Sequence, residues 1–219
     1  MEFFFLIAGL IVLILSVVLH EVSHGWVADK LGDPTARRAG RLTLNPVPHI
    51  DPIGSIFVPG ILLLLNSGFL IGWAKPVPYN PLNLKNPNIG GALIAAAGPL
   101  TNLAIAGVAS IVARILYSNF PDGSMDGAIA IIGFIAFINV ILAIFNLLPI
   151  PPLDGSKVLF AFLPLRHETK MIIEQNGFLI LLAFLLLFRG VVADVIGAVM
   201  PLFLGDELVR FVVETVKIF

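Results

Sequence analysis

Two histidines and a glutamate stand together in His20-Glu21-Val22-Ser23-His24. On a helix, residues four apart share a face, so both imidazoles can reach one metal ion. Glu21, three residues before His24, is close enough to touch a water on that metal without being a ligand itself. The bland alternative is a pair of histidines satisfied at a membrane interface. Catalytic zinc usually takes three protein ligands and leaves a fourth position for water. The 219 residues hold only four histidines and no cysteine, so the third donor comes from His49, His167 or a carboxylate. Asp154 is the favoured carboxylate, at the end of Asn146-Leu147-Leu148-Pro149-Ile150-Pro151-Pro152-Leu153-Asp154-Gly155. A proline-broken segment of this kind can bend back on what precedes it. The alternative for Asp154 is a helix N-cap ahead of Gly155-Ser156. His49, among Pro46, Pro48 and Pro52, reads as a loop residue, and His167, beside Arg166 and Glu168, as a solvated helix start. Asp194 stays open between a polar contact and an interfacial residue.

The elements that must hold these groups are apolar. The chain is 58% hydrophobic and only 12% charged, with a mean hydropathy of +1.01. Such a composition excludes an ordinary soluble domain, a disordered chain and a disulfide scaffold. Thirteen basic against fourteen acidic residues leave a net charge of -1, so no basic excess exists to bind nucleic acid. The reading is an all-α polytopic membrane protein, one membrane-embedded domain over 1–219, with about five to six transmembrane or re-entrant helices and short strand-like and proline-rich loops around the site. Phe3 to Leu19 opens the first span, which resumes past His24 at Trp26 and Val27. It lacks a basic flank and a small-residue cleavage site, and is expected to be a retained helix. Ile89 to Leu116, rich in small residues, is expected in the middle of the bundle. Ala128 to Leu148 is the third span and Met171 to Phe188 the fourth. Val191 to Leu204 is a possible fifth. Ile53 to Trp73 is apolar but interrupted by Gly54, Pro59, Gly60, Asn66, Gly68 and Gly72, and Arg41-Leu42-Thr43-Leu44 alternates as a short strand does. Ionisable groups inside such a bundle are costly and mark function.

With these residues assembled, the chain resembles the site-2 protease family of intramembrane zinc metalloproteases. His20 to His24 matches the family's HExxH helix. Gly98-Pro99-Leu100-Thr101-Asn102 matches its G-P-x-x-N helix, and Asn146 to Gly155 its N-x-x-P-x-P-x-L-D-G element. Lys75-Pro76-Val77-Pro78-Tyr79-Asn80-Pro81 looks like a stretch of the small prokaryotic members. These residues hold no PDZ domain, no CBS pair and no helix ahead of the HExxH helix. The resemblance implies one Zn2+ per chain on His20, His24 and Asp154, with Glu21 as general base, and membrane-protein or peptide substrates in the lipid bilayer. Asn102 and Asn146 are candidates to contact the oxyanion or the substrate backbone. For both, the alternative is helix-to-helix hydrogen bonding. A rival from another class is a non-hydrolytic zinc-binding membrane protein, either a transporter or a regulatory partner.

A shared site also constrains topology. If His20, His24 and Asp154 hold one metal, the first and third spans run in the same direction and the second runs back. Residues 25 to 89 then start and finish on one face, so Ile53 to Trp73 is expected to be re-entrant or interfacial. Nine basic residues from Lys30 to Lys170 fall on that face, and two, Arg114 and Arg189, on the other. The positive-inside rule makes the nine-residue face cytoplasmic and the N-terminus external, in a prokaryotic plasma membrane. An unwound substrate segment is expected to pair with the strand near Arg41 to Leu44.

Overall fold

A computed structural model describes residues 2–65 and 72–216, and all regular structure among them is helical. Helix α1 (Glu2–Lys30) carries the histidine pair and ends where Gly32 takes a positive φ of 104°. A short α2 (Thr35–Arg38) follows, then a single turn at Val47–His49 and a π-helical turn at Pro52–Phe57 leading into α3 (Val58–Leu64). Helix α4 (Pro87–Asn119) starts on Asn86, whose side chain accepts from the Ile89 N–H at 3.2 Å, with Pro87 in the first turn. Helix α5 (Asp126–Leu147) stops just before Pro149. Four helices complete the chain: α6 (Asp154–Phe162), α7 (His167–Gln175), α8 (Gly177–Leu204) and α9 (Asp206–Val216).

Among the described residues, three helices are long and apolar enough to cross a membrane, Ile7–Lys30, Pro87–Asn119 and Asp126–Leu147, and a bent pair, Glu168–Gln175 with Gly177–Phe188, makes a fourth if it is one span. At 33 residues, α4 is about 50 Å long and exceeds a hydrocarbon core of about 30 Å. It lies against α1, α5, α6 and α8, the central place its small residues foretold. Ala106, Ala109 and Ala113 on α4 are buried with Ile129, Phe137 and Val140 of α5. Outward-facing Leu10 and Ile11 of α1, and Val108 and Ile111 of α4, make the apolar surface that lipid would cover. On α5, a β-carbon at Gly133 would lie 2.4 Å from Val212, so only glycine lets α9 seat there.

The later part of the chain departs from one sequence expectation. Met171 to Phe188 is not one straight span. Glu168–Gln175 and Gly177–Phe188 meet at 59°. The bend lies where Gly177 presses on the proline turn, since a β-carbon there would come within 2.8 Å of Pro151. Val191 to Leu204, in turn, lies beyond a kink at the non-helical Phe188, where α8 is two helices joined end to end, so the expected break before this segment is present.

The strand expected at Arg41 to Leu44 does not form, and no strand occurs among the described residues. A strand needs a neighbour to complete its hydrogen bonds, and this segment finds its partners elsewhere. The Arg41 N–H bonds to the Ala36 carbonyl at 2.9 Å, and its guanidinium turns inward onto the Lys75 carbonyl at 2.5 Å.

The glycine-punctuated stretch after it returns to its own beginning. Trp73 N–H donates to Gly54 C=O at 3.1 Å and Lys75 N–H to His49 C=O at 2.9 Å. Ser55 Oγ also donates to Trp73 C=O at 2.8 Å. The two ends of this segment are thus hydrogen-bonded to each other. Residues 66–71, which include the Asn66 and Gly68 interruptions, lie outside the described residues.

Candidate metal centre

Three helices, α1, α4 and α6, build the site. His20 and His24 lie on one face of α1, and Ser16, one turn earlier, shares it. Asp154 is the first residue of α6. Tight turns through Pro149–Leu153 bring it back to the bundle, with Leu153 N–H on Ile150 C=O at 2.9 Å and Ser156 Oγ on Leu153 C=O at 2.7 Å. Gly155 is obligatory in this return, because a β-carbon there would lie 2.3 Å from the Leu147 carbonyl oxygen. The Asp154 side chain makes no capping bond to its helix; it points at the histidines.

Asp154 Oδ2 lies 3.1 Å from His20 Nε2 and 3.2 Å from His24 Nε2. The ligand atoms of the three residues all fall within 4.8 Å of one another. Both histidines are buried, at 6% and 8% exposure. The remaining ring nitrogens have acceptors of their own. His24 Nδ1 meets the Ile94 carbonyl of α4 at 2.6 Å, and His20 Nδ1 meets Asn102 Oδ1, also at 2.6 Å. A carbonyl can only accept, so His24 carries a proton on Nδ1, which would leave Nε2 to a bound metal. Three electron-pair donors thus converge on one point.

A metal cation fits that arrangement. Tetrahedral zinc with bonds of about 2.0–2.1 Å puts its ligand atoms about 3.4 Å apart, close to the separations found here. The wall opposite is Gly98 of α4, where a β-carbon would stand 2.5 Å from both His20 Cε1 and His24 Nε2. The cradle exists because that residue has no side chain.

Glu21 lies beside this cluster and outside it. Its Oε2 accepts the Val77 N–H at 2.9 Å. Val77 is held close by Gly25, where a β-carbon would meet both Val77 and Leu42 at 2.8 Å. Two residues before Val77, the Lys75 carbonyl is anchored by the buried Arg41 guanidinium. A second anchor is Asp33, which is wholly buried. It accepts from Thr35 Oγ1 at 2.5 Å, Asn80 N–H at 2.6 Å and Asn83 Nδ2 at 2.7 Å. Burial alone would raise the Asp33 carboxyl, but the hydrogen bonds from Thr35, Asn83 and Asn80 outweigh it and hold the group below the ordinary carboxylate value.

The remaining candidates sort as follows. Asn102 is fully buried and bridges two helices, donating from Nδ2 to Asn139 Oδ1 at 2.7 Å while accepting at His20. Asn146 is half-buried and donates to the Leu142 carbonyl of its own helix at 2.9 Å. His49 is buried in its loop turn with Nε2 on the Thr43 carbonyl at 3.0 Å. His167 begins α7, and Asp194 is exposed on α8. Among the described residues, only His20, His24 and Asp154 cluster as metal donors. Sequence reasoning passed over Asn139 and Ser16. Both carried a signal: Asn139 is a polar residue in an apolar span, and Ser16 repeats the four-residue spacing of the histidines.

The sequence model described as Peptidase family M50 matches residues 115–188. Several bacterial relatives carry the printed name "Putative zinc metalloprotease". YwhC of Bacillus subtilis is 38% identical over 182 residues, covering 81% of this chain and 78% of the relative. The chain belongs to peptidase family M50, the site-2 protease type of zinc metalloprotease. Rip2 of Mycolicibacterium smegmatis is 30% identical over 84% of this chain and 67% of its own length. "Zinc metalloprotease MJ0392" of Methanocaldococcus jannaschii is 29% identical over 95% of the chain and 51% of the relative. No solved structure matches the chain at a significant level. The part matched by the M50 model runs from the end of α4 to the break in α8, and so includes Asn146 and Asp154.

Proposed function

We propose that this M50 peptidase hydrolyses peptide bonds of membrane-spanning substrates, using one Zn2+ held by His20, His24 and Asp154. The observation that carries the reading is the convergence of three ligand atoms within 4.8 Å, beside a glutamate that the cluster does not consume. Zinc in such a set supplies Lewis acidity, which acidifies water and polarises a scissile carbonyl. Glu21 is the general base. With the Val77 N–H on Oε2, the carboxylate is fixed in orientation, takes the proton of the attacking water and returns it to the leaving amine nitrogen. Asn102 orients His20. Asn146, near the end of α5, would hydrogen-bond the oxyanion or the substrate backbone once its amide leaves the Leu142 carbonyl.

A helical substrate satisfies its backbone internally and must unwind before a carbonyl can be reached. The site faces the cytoplasm, since the loops that meet at it carry most of the basic residues.

The test separates a protease from a zinc-binding protein without hydrolysis. Glu21→Gln in the purified full-length chain should keep zinc at the wild-type stoichiometry. Cleavage of a single-span model substrate should fall about a hundredfold or more, the usual weight of a general base. Undiminished cleavage would refute the role of Glu21; absence of zinc from the wild-type protein would refute the metal reading.

A further inference from the structure

The polar contacts of His20 continue beyond Asn102, through two residues that take no part in the chemistry above. Asn139 of α5 is fully buried, and Ser16 of α1 is nearly so, at 4% exposure. Asn139 Nδ2 donates to the Ile135 carbonyl at 2.8 Å and to Ser16 Oγ at 2.9 Å. The backbone carbonyl settles the direction of the whole chain of bonds. Ile135 C=O cannot donate, so the Asn139 atom facing it is the amide nitrogen, and Oδ1 faces Asn102. Asn102 must then offer its nitrogen to Asn139 and its oxygen to His20. His20 must answer with a proton on Nδ1, which leaves the Nε2 lone pair aimed at Asp154 and His24.

We infer that Asn139, with Ser16, is a positioning residue for the zinc ligand His20. It selects the imidazole tautomer through a relay of two amides that joins α1, α4 and α5. His24 needs no such device, because its Nδ1 meets the Ile94 carbonyl directly. His20 has an amide as its partner, and an amide can present either end. Asn139 removes that ambiguity. Outer partners that fix a ligating histidine typically weigh tenfold to a hundredfold in metal affinity. The inference rests on the zinc reading of the His20 cluster.

The experiment uses the full chain in detergent, stripped of metal, with Zn2+ affinity measured by competition against a chromophoric chelator. Asn139→Leu should weaken Zn2+ binding about tenfold to a hundredfold, as should Asn102→Leu. Because the two residues act in series, the Asn102→Leu/Asn139→Leu double variant should bind no more weakly than Asn102→Leu alone. Wild-type affinity in Asn139→Leu, or losses that add in the double variant, would overturn the relay. A wild-type chain that took up no Zn2+ would instead overturn the metal reading, and the relay with it. Nitrogen-15 shifts of His20 in the Zn2+-loaded wild-type protein test the same point without a substitution. Nδ1 should carry the proton and Nε2 the metal, and the reverse assignment would sink the inference.

Discussion

A methyl group at Gly98 would overlap both histidine rings, and neither ring can yield. His20 is bound at Nδ1 to Asn102 and His24 to Ile94, and α4 is wedged among four other helices. Gly98→Ala should therefore act on the metal before it acts on the fold. Zn2+ content after dialysis should fall well below one per chain, while helical content stays that of wild type. The strain of such overpacking is about 1–3 kcal/mol, enough to lower metal affinity by roughly tenfold or more. Full zinc retention would mean that the rings have room the geometry denies them. That His20 and His24 could share one metal was legible in the sequence, because i, i+4 histidines with an intervening glutamate are rare and chemically specific. The asparagines were not so easily assigned. An asparagine in an apolar span announces a hydrogen bond, but its partner lies on another helix, and chain spacing cannot name it. For Asn102 the structure supplies interhelical bonds, to His20 and Asn139, which was one of its two sequence readings.

The loops on the histidine side behave as one tied element. Arg41 holds the Lys75 carbonyl, Asp33 holds Asn80 and Asn83, and between these anchors the Val77 N–H reaches Glu21. Removing the first anchor should loosen the base and leave the metal alone. Arg41→Ala is expected to lower kcat about tenfold to a hundredfold, the size of effect that a displacement of about 1 Å produces. Zn2+ stoichiometry should not change, and Arg41→Lys should restore part of the rate, since an ammonium can also reach a carbonyl. Loss of zinc in Arg41→Ala would show instead that the loops support the ligands. This element was the least legible part of the chain. Alternation over four residues suggested a strand at Arg41 to Leu44. The same pattern arises when an arginine turns inward to satisfy one carbonyl, and four residues cannot tell the two apart. The long helices were read to within a few residues, since a sustained apolar run has few alternatives in a membrane. The bend at Gly177 was missed because it depends on contact with Pro151, 26 positions earlier in the sequence.

The proposed site would dictate the direction of the chain relative to the bilayer. Asp154 can meet His20 and His24 only if α1 and α5 point the same way and α4 returns between them. The stretch from His49 to Lys75 supports this, because hydrogen bonds between its two ends suit flanking loops on one face. The opposite face carries the turn at Pro121–Ser124 between α4 and α5, and Arg114, whose guanidinium caps the Leu202 carbonyl at 3.2 Å near the end of α8. Because the sequence contains no cysteine, single cysteines can be placed without removing native ones. Lys85 and Asp122 are both exposed, and they lie at opposite ends of α4. In intact bacterial cells, a membrane-impermeant maleimide should label Asp122→Cys directly and Lys85→Cys only after permeabilisation. Labelling of Lys85→Cys from outside would invert the molecule and put the proposed active site on the external face. Labelling of both from the same side would break the shared-site topology itself, because α4 would then not cross the membrane between them.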